Sequence, residues 1–423
     1  MKNILNVIYK YAITYIILIF IFIVGLILSA LIPQKCIKDN VIKSLETLEK
    51  ENLSQEVGII KKTVLDDFTD ALMINVAYSI DTNHPIKAIM TNNFGSDKNK
   101  QTKEPIINTV EKLRQNLESE NVSYYGYSRY WHGYLIYLRP LFVLLDYTKI
   151  RILFTVILNL LALRLGYLLY RKLGKATSII FFVSLYIVSY YYCGLSLTYF
   201  PVLCISMISS IYIIKKENVN YLSFFIIGGL TSFFDLLTTP LLTLGIPILM
   251  YLMINKKEIS FKKMIILCIN WGLGYGLIWL SKWVIASIIL DKNIMENALD
   301  AIAKRSGTYD GAGEKITLFD TIVCNIFNIS YEIFALIFVT IVALILKKKE
   351  NIDISKREIL QYLFIAVLPI VWYVLTRNHS AIHPKFTYRN MLLTIFSLLI
   401  LDYKILAKSI GTKENVKNKV NKI

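Results

Sequence analysis

The 423-residue sequence predicts an all-α membrane protein with about ten transmembrane helices and a long, mostly helical first extracytoplasmic loop. Three observations predict it. Hydrophobic residues make up 55% and charged residues 18% of the chain, with a mean hydropathy of +0.51, whereas soluble domains average about 25% charged. Several apolar runs exceed about 18 residues, the length of a membrane span. Lys and Arg collect in the segments on one side of those runs. A soluble globular enzyme and a disordered chain are both excluded.

The first span covers residues 11–32 and, at about 1.5 Å per residue, reaches roughly 33 Å. A cleaved signal peptide would have a shorter apolar core and a small-x-small site. The segment Ile32-Pro33-Gln34-Lys35 offers no such site. Residues 1–33 are therefore expected to be an uncleaved transmembrane anchor.

Residues 34–148 form the extracytoplasmic segment, and 35–148 carry 14 Lys/Arg against 15 Asp/Glu. Early in it, Asp66, Asp67 and Asp70 bring three carboxylates into five positions. Such a cluster must be solvated, paired with bases or bound to a cation. One of the three could serve as general base for a sugar hydroxyl, or a divalent cation such as Mg or Mn could sit there through oxygen ligands. Alternatively, Asp66 or Asp67 caps a helix over 68–77. Residues 91–103, with Gly95, read as an exposed connection. In 104–120, Ile106, Val110, Leu113 and Leu117 repeat at helical spacing, which predicts an amphipathic helix. Six tyrosines then fall between Tyr124 and Tyr137, together with Arg129, Trp131, His132 and Arg139. The stretch is an aromatic belt at the headgroups, a surface for sugar rings and lipid phosphate, or both. Near 130–146 the run is too short to span and contains Arg139-Pro140, so an interfacial helix is expected.

The multi-span region is 149–403, with apolar runs at 150–170, 176–193, 195–214, 221–234, 237–254, 264–290, 322–346, 359–376 and 388–403. Tight turns are expected near Gly194 and Asp235, and 221–254 could also be one broken re-entrant unit. Asp235 is either an ionisable group kept at membrane depth for function or a helix cap. Arg164 and Lys282 lie within spans and are expected to face protein rather than lipid. Lys282 sits between Trp279 and Trp283 and could instead snorkel. The loop 291–321, with Arg305, Gly307, Asp310, Gly311 and Gly313, reads as mobile. No GxxxxGK[ST] phosphate loop exists. The segment 377–389 holds Arg377, His379, His383, Lys385 and Arg389 on the outer side, where basic residues need a reason. An anionic headgroup or lipid-linked phosphate is the simplest. His379 and His383 with a carboxylate could also ligate zinc, although Pro384 interrupts a continuous helix. Residues 404–423 form a Lys-rich tail expected to lie on anionic lipid.

Placing both termini in the cytoplasm puts 22 Lys/Arg inside and seven in the short outside loops, as the positive-inside rule requires. The formal charge of +17 is then explained by topology, and the lipid bilayer rather than nucleic acid is the expected partner. Five scattered cysteines without a CxxC pair predict neither a zinc site nor a disulfide framework.

This arrangement of a first span, a long external loop with an acidic pair, an amphipathic segment near the membrane and many spans with basic external loops resembles the GT-C class of membrane glycosyltransferases. The resemblance implies a polyprenyl-phosphate-linked sugar donor and an extracytoplasmic acceptor. It implies Asp66 or Asp67 as the catalytic carboxylate, and Arg129, His132, Arg139, Arg377, His383, Lys385 and Arg389 as holders of the lipid phosphate. The leading expectation is a glycosyltransferase in a bacterial plasma membrane. A transporter or flippase of a lipid-linked saccharide would show inverted repeats and mid-membrane charges, and a non-enzymatic scaffold would use the loop 35–148 to bind a partner.

Overall fold

The computed structural model describes residues 2–51, 55–58, 63–98, 108–217, 219–255, 259–309, 313–329, 332–349 and 354–420. Helix α1 (Lys2–Ala30) buries Leu18, Phe22, Leu26 and Ala30, one stripe at i, i+4 spacing, and leaves Ile16, Phe20 and Leu28 exposed. That is the pattern of a span with one protein-facing side. It ends before Pro33, which disfavours helix in the residue ahead of it.

The polar segment is a small unit of short helices and two hairpins. Helix α2 (Gln34–Glu51) buries Ile37, Val41, Leu45 and Leu48. Strands β1 (Glu56–Val57) and β2 (Thr63–Val64) pair antiparallel. Helices α3 (Asp67–Tyr78) and α4 (Pro85–Thr91) follow, α4 opening on Pro85 and closing at Asn92 in the left-handed region. Strand β3 (Phe94–Asp97) pairs antiparallel with β4 (Val122–Tyr125), and α5 (Thr109–Glu118) packs on α3 and β3 through Val110 and Leu113. The amphipathic helix expected over 104–120 is thus helical over 109–118 and rests on its own unit. Its first apolar position, Ile106, and most of the end of the 91–103 connection lie outside the described residues. Helix α6 (Leu135–Leu144) has ten residues, about 15 Å, too short to cross a bilayer.

The remaining helices are α7 (Tyr147–Leu173), α8 (Lys175–Ile187), α9 (Phe200–Lys216), α10 (Tyr221–Phe234), α11 (Leu242–Ile254), α12 (Phe261–Leu290), α13 (Ile294–Ser306), α14 (Leu318–Phe327), α15 (Glu332–Lys349), α16 (Lys356–Leu375), α17 (Arg377–Ile382), α18 (Pro384–Thr387) and α19 (Leu392–Val420). Among the described residues, five segments are long and apolar enough to cross a membrane: Ile4–Ala30, Tyr147–Leu173, Phe261–Leu290, Lys356–Leu375 and Pro384–Ala407. Shorter apolar helices accompany them, among them α8, α10 and α11. The chain therefore has the make-up of a multi-pass membrane protein.

Several expected runs are shorter or interrupted. The turn expected near Gly194 is a 3-10 segment, Tyr190–Leu195. The run 322–346 is divided between α14 and α15. Asn325 explains part of this: its buried side chain donates to Ser380 O at 2.8 Å and accepts from Thr387 at 2.7 Å, docking α14 on α17 and α18. Arg164, expected to face protein, is exposed on α7 with its guanidinium over Tyr167. Its position in the second half of the helix lets the long stem reach toward the polar end. Asp310 and Gly311 of the 291–321 loop lie outside the described residues.

Helices α10 and α12 cross in close contact. A Cβ on Gly228 would come within 2.0 Å of Trp271 O, and one on Gly274 within 2.0 Å of Phe225 O. Two facing glycines let the backbones touch, as small residues do in membrane bundles. One buried apolar cluster joins α7 to α19. A second runs without a break from α1 through α2–α6 into Phe233, Ile278 and Trp283. The polar unit is thereby fused to the span bundle. Lys282 strengthens that junction: it is fully buried and donates to Ile89 O at 2.8 Å and Met90 O at 3.2 Å, at the C-terminal end of α4. A cation is favourable there because helix carbonyls end unpaired.

Candidate active site

The three acids occupy different surroundings. Asp66 is the N-cap of α3, its Oδ1 accepting from the Thr69 N–H at 3.1 Å. Burial raises its pKa above the usual carboxylate value, while the Thr69 bonds and the nearby Arg389 charge act against the rise. Asp67 is fully buried and accepts from Arg151 at 2.8 Å. The same guanidinium binds Glu51 at 2.7 Å. Burial lifts the Asp67 carboxyl to about 6 in spite of Arg151. Asp70 accepts from Tyr147 Oη at 2.6 Å and from the Leu197 N–H at 2.9 Å. Burial pushes it well above the ordinary range. Asp67 and Asp70 therefore belong to a buried network tying α2, α3 and α7 together, with Arg151 at its centre. Both carboxylates, expected as catalytic candidates, are engaged by partners within this network. Asp66 lines a cavity.

That cavity, about 60 Å³, is lined by Asp66, Thr69, Thr238, His379, His383 and Thr387 among others. It has room for about two waters or one hydroxyl-bearing edge of a ligand. It joins the polar unit, the α10–α11 turn and the segment 377–389, which are distant in sequence. His379 donates or accepts through Nε2 at 3.0 Å from Leu237 O; a carbonyl only accepts, so Nε2 carries the proton. Burial lowers the His379 pKa to about 3, with Arg305 and His383 adding to the effect, and the imidazole is neutral. The His379 and His383 rings lie 4.9 Å apart.

A second cavity of about 260 Å³ shares the Leu237 wall. Arg129, Tyr130, Tyr275, Trp279, Trp283 and Arg305 line it. Arg129 and Arg305 lie over the Tyr130 ring, 5.7 and 5.6 Å from its centre, and Arg305 donates to Tyr130 Oη. Burial raises the Tyr130 hydroxyl to about 12. Arg129 Nε, Tyr275 Oη, Trp279 Nε1 and Trp372 Nε1, all on lining residues, have no hydrogen-bond partner among the described residues. Buried donors without partners are rare enough to call for an explanation.

The other expected phosphate ligands are distributed as follows. Arg139 is fully buried; its Nε donates to Ser29 O at 3.0 Å and its terminal nitrogens to Ala77 O and Ile32 O. It braces the ends of α1 and α3 and does not reach either cavity. His132 is buried with φ 54°, Nδ1 at 2.9 Å from Tyr134 Oη and Nε2 at 3.0 Å from Tyr127 O. Burial lowers its pKa to about 3, and both ring nitrogens are engaged within the protein. Arg389 is buried and donates to Tyr199 Oη at 2.9 Å, Lys385 O at 3.1 Å and Thr63 Oγ1 at 2.8 Å. It contributes charge to Asp66 without lining the cavity. Arg377 is half-buried and Lys385 exposed. Asp235 is buried with its carboxylate on the Leu237 and Thr238 N–H groups, both at 2.9 Å. It closes the 235–238 turn and does not N-cap the following helix, since α11 starts at Leu242 with Leu241 as its N-cap, and burial raises it to about 7.

Among the described residues, no group of three or more His, Cys, Asp or Glu is placed to hold a metal ion. A hard cation such as Mg or Mn prefers oxygen ligands, and at the small cavity only one carboxylate is offered beside two imidazoles. His379 Nε2 is engaged by the Leu237 carbonyl, which leaves Nδ1 as its free acceptor, and among the described residues His379, His383 and a carboxylate do not come together as a ligand set for zinc. Sequence reasoning missed Arg151 and Glu51 as the partners of Asp67, and Thr238 and Trp372 as wall residues. The i, i+4 pair Trp279 and Trp283 was the available signal for the aromatic cavity. Comparison with protein-family models, with curated proteins and with solved structures finds no match.

Proposed function

We propose that the protein is a membrane glycosyltransferase that moves a sugar from a polyprenyl-phosphate donor to an extracytoplasmic acceptor, with Asp66 as general base. The observation that supports this best is the convergence of Asp66, His379 and His383 on one cavity beside an arginine- and aromatic-lined one. In this reading Asp66 takes the proton of the acceptor hydroxyl. The hydroxyl oxygen bonds to the anomeric carbon, and the bond from that carbon to the phosphate oxygen breaks. A raised carboxylate pKa makes a stronger base, provided the group is ionised at working pH. Aromatic faces and unpaired donors in the larger cavity suit sugar rings and phosphate oxygens, and the guanidiniums of Arg129 and Arg305 would stabilise the departing phosphate. Ten crossings of the plasma membrane with both termini cytoplasmic complete the reading, supported by the 22-to-seven asymmetry of basic residues.

The test is transfer of radiolabelled sugar from a polyprenyl-phosphate donor by the purified protein in nanodiscs. Asn caps helices as well as Asp does, so Asp66→Asn should keep the fold and lower turnover by about 10²–10⁴-fold. Full transfer by Asp66→Asn would refute the assignment. Movement of the donor across a vesicle membrane without transfer would favour a flippase instead.

A further inference from the structure

The turn between α10 and α11 is built in an unusual way. Leu237 has φ 69°, in the left-handed region, where a bulky non-glycine residue is an outlier. Something must hold it there. Both oxygens of the buried Asp235 carboxylate do so, Oδ2 on the Leu237 N–H and Oδ1 on the Thr238 N–H, each at 2.9 Å. The Leu237 carbonyl then accepts from His379 Nε2 at 3.0 Å, across 142 residues. A carbonyl at one ring nitrogen fixes the tautomer and the ring plane, and leaves Nδ1 as the acceptor. The Leu237 side chain meanwhile lines both cavities. One carboxylate therefore controls the backbone that orients a histidine of the Asp66 cavity.

We propose that Asp235 is a positioning residue: through the 235–238 turn it holds the Leu237 carbonyl that sets the tautomer and orientation of His379 beside Asp66. Its importance for catalysis rests on the Asp66 cavity being the reacting site, but the chain of contacts stands without that reading. Asp235 itself touches neither cavity as a lining residue, so the carboxylate expected from the sequence to do chemistry acts here through another group.

The chain has four histidines, and site-resolved labelling with diethyl pyrocarbonate reads each of them in the intact protein in nanodiscs at neutral pH. His84 is exposed and reports reagent activity, while His132 has both nitrogens engaged and reports that the fold is intact. His379 is neutral at that pH, so its Nδ1 lone pair is the reacting atom and its labelling is limited by access to the held ring. Asp235→Ala should release the ring from the turn and open Nδ1 to the reagent, speeding His379 labelling by roughly tenfold, the loss of about one hydrogen bond's restraint on the ring, with His84 and His132 unchanged. Equal His379 rates in wild type and Asp235→Ala would overturn the proposal. If Asp235→Ala also exposes His132, Asp235→Asn decides, because its amide oxygen keeps one acceptor: faster His379 labelling with His132 protected supports the proposal, and no change overturns it. In the transfer assay Asp235→Asn should lower kcat with KM little changed, whereas unchanged kcat beside faster His379 labelling overturns the catalytic part. A null result for Asp66→Asn would instead remove the site reading and leave the labelling result to be judged by itself.

Discussion

Replacing Arg151 with Met tests the buried network that separates Asp67 and Asp70 from the chemistry. The guanidinium binds Glu51 at 2.7 Å and Asp67 at 2.8 Å, and the side chains of Arg151, Glu51 and Asp67 are 6%, 16% and 0% exposed. Met preserves much of the volume and removes the cation that these two carboxylates share. Breaking a buried pair from one side costs about 3–5 kcal/mol, because the remaining charge is left in a poor solvent. The pH dependence gives the sign. The folded pKa of Asp67, about 6, lies above its unfolded value of 3.8, so folding takes up a proton between the two. Asp67 therefore favours the fold most below about 3.8 and progressively less as pH rises through about 6. Removing Arg151 pushes the folded pKa higher still and extends the loss toward neutrality. Thermal unfolding in nanodiscs, followed by tryptophan fluorescence, should show a larger deficit for Arg151→Met at about pH 7.5 than at about pH 5. A deficit below about 1 kcal/mol, or one that grows on acidification, would refute the reasoning.

Three other outcomes are expected. Leu237→Gly should be more stable than Leu237→Ala by about 1 kcal/mol in thermal unfolding, since only glycine accepts φ 69° without a Cβ penalty; the reverse order would show that the turn is unstrained. Gly274→Ala should lower stability by about 1–3 kcal/mol because its methyl meets the Phe225 carbonyl, and a neutral result would mean that α10 and α12 separate freely. In a background without the exposed Cys36 and Cys324, a membrane-impermeant thiol reagent applied outside should label Asn83→Cys and spare Lys215→Cys; the opposite pattern would place the candidate site on the cytoplasmic side.

What the sequence disclosed follows from the range of the forces involved. Apolar runs and helical spacing are local, so α1, α7, α12 and the face of α5 carrying Val110 and Leu113 were legible in advance. The acidic cluster and the basic segment 377–389 were visible as charge in unexpected places. Which members meet was not visible, because it depends on long-range placements such as Asp66 and His379 on the wall of one cavity, more than 300 residues apart. Arg139 misled for a related reason. Its charge suggested a ligand, but its partners are backbone carbonyls at the ends of α1 and α3, and every residue has a carbonyl. Arg151 looked like the ordinary polar start of a span, and only folding brings Glu51 and Asp67 to it.

The fusion of the polar unit to the bundle also dictates an order of assembly. Its core includes Ile278 and Trp283 of α12, and α4 is held by Lys282 of the same helix. At 5–20 residues per second, α12 is made roughly 7–30 s after residue 148. During that delay the apolar underside around Trp131 and Leu138 has no partner from α12. The nascent chain must shelter it, against the membrane or with a chaperone. A ribosome stalled before α12 should yield a protein that proteases cut within residues 34–148, and one stalled after α12 has emerged should resist them.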